Sequence, residues 1–94
     1  MVNAIILFNV ERERVNEVAE KIAAEEAVSE VYSVAGRYDL VCVVRARDND
    51  ALAELVTGQL LKVKGIEDSE TLFAFRVYSD HDLDSMFSIG LEEG

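Results

Sequence analysis

The periodicity of the apolar residues switches from strand-like to helical and back, twice over, and that order of switching leaves very few folds open. "VNAIILFNV" (2–10) is β-branched and aromatic with no helical period, which predicts a strand. In 11–26, Val15, Val18, Ala19, Ile22 and Ala23 recur at i, i+3, i+4, i+7 and i+8, one face of a helix. Glu17 and Lys21 add an i,i+4 pair on its outer side. "VSEVYSVAG" (28–36) and "YDLVCVVRA" (38–46) read as two strands with only a tight connection between them, hence an antiparallel hairpin.

The second half repeats the scheme. "RDND" (47–50) supplies N-cap candidates, and Leu52, Leu55, Val56, Leu60 and Val63 mark the apolar face of a second helix. "KG" (64–65) closes that helix, with Gly65 expected at its C′ position, and "DSETLFAFRVYS" (68–79) is the last strand. The order β-α-β-β-α-β, with right-handed crossovers, sets both helices on one side of a four-stranded antiparallel sheet: an α+β, ferredoxin-like sandwich.

Two short helices cover one sheet face only, and the other should then be polar at every second position. It is not. Ala4, Ile6 and Phe8 alternate with Ile5 and Leu7; Leu40, Cys42 and Val44 with Val41 and Val43; Phe73 and Phe75 with Leu72 and Ala74. An apolar face of this size calls for a covering partner, and two-fold pairing of sheets between copies, a dimeric α/β barrel, is the economical solution. The competing cover is the chain's own end. "DHDLDSMFSIGLEEG" (80–94) carries Leu83, Met86, Phe87, Ile89 and Leu91, too apolar for a free tail. The 94 residues make one domain, with 1–79 its body and 80–94 an amphipathic C-terminal tail.

Charge and residue chemistry exclude several functions. A net charge of −10, from 19 acidic against 9 basic residues, opposes a phosphate backbone. The basic residues are spread among acids along the chain, which predicts neither direct nucleic-acid nor anionic-membrane binding. A single cysteine, Cys42, in an apolar strand fits a reduced compartment, and "MVNAIILF" lacks a basic leader, so a cytoplasmic protein is expected. His81 is the only histidine and lies in the acidic tail. Asp80, Asp82 and Asp84 lack the glycine and closing glutamate of a calcium loop, and no glycine-rich phosphate loop is present. No metal or cofactor is expected.

What remains is "GRYD" (36–39), set between two apolar strands. Gly36 permits a positive φ and close approach of a ligand or another backbone. Tyr38 brings a flat apolar body with a hydroxyl tip and Asp39 a carboxylate. Turn amides for a carboxylate and an acid for an ammonium together resemble a zwitterion site; the plainer alternative is a hairpin whose aspartate bonds its own turn.

At this stretch the chain resembles the effector-binding domain of the Lrp/AsnC regulators. The likeness rests on "V-x-G-x-Y-D-L" (34–40) and "K-G-I-x-x-S-x-T" (64–71) in order over the β-α-β-β-α-β frame, and covers about residues 2–79. It implies sheet-paired dimers assembling into octameric or other rings, with an amino-acid effector held between dimers. The residues carried over by match are Gly36, Tyr38, Asp39, Ser69 and Thr71, with Arg37 at the variable position. Family regulators carry a helix-turn-helix ahead of this domain. Met1 here leads straight into the first strand, so the chain resembles the stand-alone versions, with a DNA-binding family member as a candidate partner.

Three function classes follow. The leading one is an oligomeric amino-acid-sensing module, not an enzyme. The second is a structural oligomerisation scaffold in which GRYD only shapes the hairpin. The third is a cofactor-independent oxygenase or isomerase with a pocket between helices and sheet, for which Tyr32 is the candidate.

Overall fold

A computed structural model describes residues 1–78 of the chain. Strand β1 (Val2–Val10) leads through a short 3-10 turn into helix α1 (Val15–Ala23). Strands β2 (Val28–Ser33) and β3 (Leu40–Ala46) follow, then helix α2 (Asn49–Gly58), a second 3-10 turn at Leu60–Lys62, and strand β4 (Ile66–Ala74). The strands form one antiparallel sheet in the order β2-β3-β1-β4, the ferredoxin-like arrangement the periodicities require.

Side-chain alternation sorts the sheet into two faces. Ala4, Ile6, Phe8 and Val10 of β1 and Leu40, Cys42, Val44 and Ala46 of β3 are buried beneath Val18 and Ile22 of α1 and Leu52 and Leu55 of α2. Each fully buried aliphatic or aromatic side chain in that layer contributes about 1.5–3 kcal/mol. The opposite face carries Ile5, Leu7, Val41, Val43 and Leu72 in register across β3, β1 and β4. Ile5 and Leu72 are 39% and 45% exposed. The apolar second face read from the sequence is therefore open in the single chain.

Local chemistry explains the helix boundaries. Asp48 is extended and its Oδ1 accepts the Ala51 N–H at 2.8 Å, the N-cap of α2. That bond holds the Asp48 carboxyl below the usual aspartate value. Helix α2 ends at Gly58, short of the expected Lys64. The helix-weakening glycine is followed by the 3-10 turn, which brings Leu60 into the core. Gly65 is consequently not a helix C′ residue. It has φ +107° and is buried at the entry to β4, where its carbonyl accepts from Glu11 N–H at 2.9 Å.

Other boundaries also move. Strand β2 stops at Ser33 rather than Gly36, and β3 starts at Leu40, so the hairpin connection is six residues long instead of tight. Strand β4 begins two residues earlier than expected and ends at Ala74, leaving Phe75 and Val77 outside the sheet and exposed. Ala23 is exposed at the last turn of α1 rather than on its apolar face. The expected tail, 80–94, with His81 and its aspartates, lies outside the described residues.

Candidate functional site

The connection from β2 to β3 is a built turn. Val34 N–H donates to Asp39 O at 3.0 Å and closes it. Gly36 has φ +126°, with no neighbouring atom within 4 Å of where a Cβ would stand. The glycine therefore serves the backbone conformation and leaves open space beside the turn. Arg37 at its tip is exposed.

Asp39 closes this turn and ties it to the sheet in two further ways. Its carbonyl takes the Val34 amide, its own N–H donates to Phe8 O at 2.9 Å, and its Oδ2 accepts the Val10 N–H at 2.8 Å. Val10 needs that acceptor because its N–H, like the Phe8 carbonyl that takes the Asp39 amide, points to the β3 side, where the last β1–β3 pair is Phe8 with Leu40. The aspartate thus caps the end of β1, a role that neither a free ammonium partner nor a self-bonded turn anticipates. Its other carboxylate oxygen has no hydrogen-bond partner among the described residues.

Tyr38 crosses the end of the sheet. Its hydroxyl donates to Glu70 Oε1 on β4, 32 residues away in sequence. This hydrogen bond raises the phenol above its usual pKa; Asp68 adds to the rise and Arg37 opposes it. Glu70 was not among the residues singled out from sequence. Nothing local marks it, because its partner is set by the strand order.

The two polar positions on β4 sit differently. Ser69 pairs with Phe8, whose other cross-strand partner is Leu40, so it lies in the same rung as the start of β3 and close to the turn. Thr71 is two residues further along β4, opposite Ile6, and faces the helix layer. With Phe73 it forms the β4 wall of an apolar cleft of about 450 Å³ against Ala53, Val56 and Thr57 of α2. The structure thus brings Gly36, Arg37, Tyr38, Asp39 and Ser69 to one end of the sheet, while Thr71 stands between that end and the α2 cleft.

Two sequence readings need correction. Tyr32 does not face a pocket between helices and sheet: it is 48% exposed on the open face, where its hydroxyl donates to Glu30 Oε2 at 2.8 Å. The basic residues do gather at one place. Lys21, Lys62 and Lys64 share a cleft with Glu25 near the C-terminal ends of the helices, where cations offset the helix dipoles. Among the described residues no group of three or more His, Cys, Asp or Glu could hold a metal ion. Likewise, no helix there is long and apolar enough to cross a membrane.

A four-stranded antiparallel sheet with two helices on one face, an open apolar second face and a glycine-bearing turn beside the edge strand defines a small ferredoxin-like domain. The chain belongs to the Lrp/AsnC ligand binding domain family, whose model matches residues 3–84. The crystal structure of TTHA0845 from Thermus thermophilus superposes with a TM-score of 0.79 at 44% identity, covering 84% of this chain and 99% of that one.

An uncharacterized HTH-type transcriptional regulator of Pyrococcus horikoshii, PH1916, is 37% identical over 59 residues, 63% of this chain and 39% of the regulator. The chain spans well under two thirds of the length of the curated relatives it matches. At the level of fold alone, a regulator from Neisseria meningitidis solved as a complex with L-Met matches with a TM-score of 0.75 at 19% identity, over 83% of this chain and 52% of that one.

Proposed function

We propose that this domain is an amino-acid-sensing module that binds a small zwitterion at the 34–39 turn beside β4, and that it works as a homo-oligomer. The observation that carries the reading is the Gly36–Asp39 turn, pinned to β1 through Asp39 and to β4 through Tyr38 on a domain of this family. Exposed turn atoms around a positive-φ glycine offer hydrogen bonds to a carboxylate. The unpartnered oxygen of Asp39 and the hydroxyls of Ser69 and Thr71 offer acceptors to an ammonium.

Pairing of the open sheet faces of two copies buries Ile5, Leu7, Val41, Val43 and Leu72, and rings of such dimers set turns of neighbouring dimers side by side. A ligand held there shifts assembly only by its differential affinity for the two states. The L-Met complex of the Neisseria regulator puts methionine in the first panel of ligands to try. A partner regulator that carries a DNA reader belongs to the same proposal, as does a cytoplasmic location.

One observation favours the scaffold reading: Asp39 already has a structural task at Val10. Light scattering coupled to gel filtration, with and without each of the common amino acids, and calorimetry on any hit, decides between the two. A heat of binding or a ligand-dependent mass is the expected result. A fixed oligomer that ignores every amino acid at millimolar concentration leaves the turn as a scaffold element and refutes sensing.

A further inference from the structure

The residue that couples the turn to the sheet's edge strand is Glu70. By the register Leu7↔Glu70 and Ile5↔Leu72, its side chain leaves β4 on the open face, opposite to Ser69 and Thr71. The turn enters β3, and β3 is separated from β4 by β1, a gap of two strand spacings or roughly 9–10 Å. The Tyr38 hydroxyl spans that gap to meet the carboxylate. Asp39 fixes the base of the turn, on β1. Among the described residues, Tyr38–Glu70 is the only side-chain hydrogen bond joining the turn to β4.

The chemistry of the pair sets a second property. A carboxylate and a glutamine Oε1 both accept the phenol O–H, the carboxylate more strongly, so the hydrogen bond itself does not require the charge. The turn and the facing rungs of β4 nonetheless carry three carboxylates, Asp39, Asp68 and Glu70, against one cation, Arg37. Two of the acids, Asp68 and Glu70, are exposed. Their field disfavours a ligand bearing a second carboxylate and tolerates a neutral or cationic side chain.

We propose that Glu70 is the positioning residue of this site, holding Tyr38 so that the 34–39 turn is presented in one conformation, and that its charge turns the site away from acidic amino acids toward neutral or basic ones. The positioning half is a property of the folded chain. The selectivity half rests on the amino-acid-binding reading above.

Three variants of the full chain separate the terms. Glu70→Ala removes acceptor and charge, Tyr38→Phe removes only the donor, and Glu70→Gln keeps the acceptor and removes the charge. Hydrogen exchange at the Val34 and Asp39 amides reads the turn with no ligand present. Glu70→Ala and Tyr38→Phe are expected to speed Val34 exchange by about threefold or more, with the unfolding midpoint unchanged and Glu70→Gln between them and wild type. Exchange unaltered in both Glu70→Ala and Tyr38→Phe overturns the positioning role, whatever the ligand.

Calorimetry with the pairs glutamine/glutamate and asparagine/aspartate then reads selectivity. The wild type is expected to favour the amides, and Glu70→Gln to narrow the ratio by about threefold or more, an exposed charge being screened by solvent. An unchanged ratio, or a wild type that prefers the acids, overturns the selectivity. A wild type that binds no amino acid refutes the sensing reading and the selectivity with it, while the exchange data still decide the positioning role.

Discussion

Replacing Asp39 by alanine is the substitution on which the sensing and scaffold readings both lean, and the geometry sets its cost before any ligand is considered. The side chain gives Val10 N–H its acceptor at 2.8 Å, at a point beyond the last β1–β3 pair, Phe8 with Leu40. Val10 is 4% exposed, so water reaches its amide poorly once the carboxylate is gone. A hydrogen bond to a charged group contributes about 1.5–3 kcal/mol, and a buried donor left unpaired costs a similar amount. The two descriptions count one interaction, so Asp39→Ala is expected to cost about 1.5–3 kcal/mol.

In a domain of this size each kcal/mol moves Tm by about 4–8 °C, which gives a fall of roughly 6–24 °C. Asp39→Asn keeps an oxygen at the same place and is expected to lose about half as much. The assay is thermal and urea unfolding at one fixed protein concentration, because self-association would otherwise shift Tm. An Asp39→Ala protein within about 0.5 kcal/mol of wild type would refute the argument that the carboxylate caps β1. A large loss in Asp39→Ala also means that a lost ligand in that variant says little about contact; Asp39→Asn is the cleaner probe of binding.

Other residues give independent checks. Gly65→Ala places a Cβ 2.9 Å from Arg14 Cδ and Val18 Cγ2 at φ +107°, and is expected to destabilise by about 2–4 kcal/mol in chemical unfolding. Burial pushes the Cys42 thiol up to about 11, against a smaller opposing effect of a backbone hydrogen bond with Ile6, so a thiol reagent at pH 8 is expected to react only after unfolding. Asp48→Ala removes the α2 cap. Because the native Asp48 pKa is lowered, its stabilisation is fully present above the unfolded value of about 3.9 and is lost as pH falls through the native value. Wild type and Asp48→Ala should therefore converge in stability toward acid pH. Ile5→Glu, on the open face, is expected to lower the mass seen by light scattering while leaving the far-UV circular dichroism of the fold intact.

Periodicity made most of the fold legible. The apolar faces of α1 and α2 and the strand alternations depend on near neighbours, and Asp48 sits three residues before the amide it caps. Where a contact depended on topology, the sequence was silent. Glu70 meets Tyr38 only because β1 passes between β3 and β4, and Asp39 reaches Val10 only because β3 pairs with β1 from Leu40 onward, which sets the residue before it beside the end of β1. Of the site residues, Gly36 stands out by its conformational freedom, Tyr38 and Asp39 by their chemistry beside it, and Arg37, Ser69 and Thr71 by family pattern. The apolar run through Phe75 and Val77 extended the last strand too far because a run of β-formers does not record where its partner ends; β1 offers β4 nothing beyond Asn3 opposite Ala74.

The strand order also governs when the sheet can form. The first strand made is a central one, and both of its neighbours, Leu40–Ala46 and Ile66–Ala74, are synthesised later. Until residue 74 has left the ribosome, the backbone of β1 has at least one side without its native partner, with Ile5 and Leu7 uncovered beside it. Pairings as distant as Asn3 with Ala74 close late and slowly. The nascent chain therefore passes through a stage in which its most apolar strand is an open edge, and a stalled or truncated product ending before β4 is a template for aggregation.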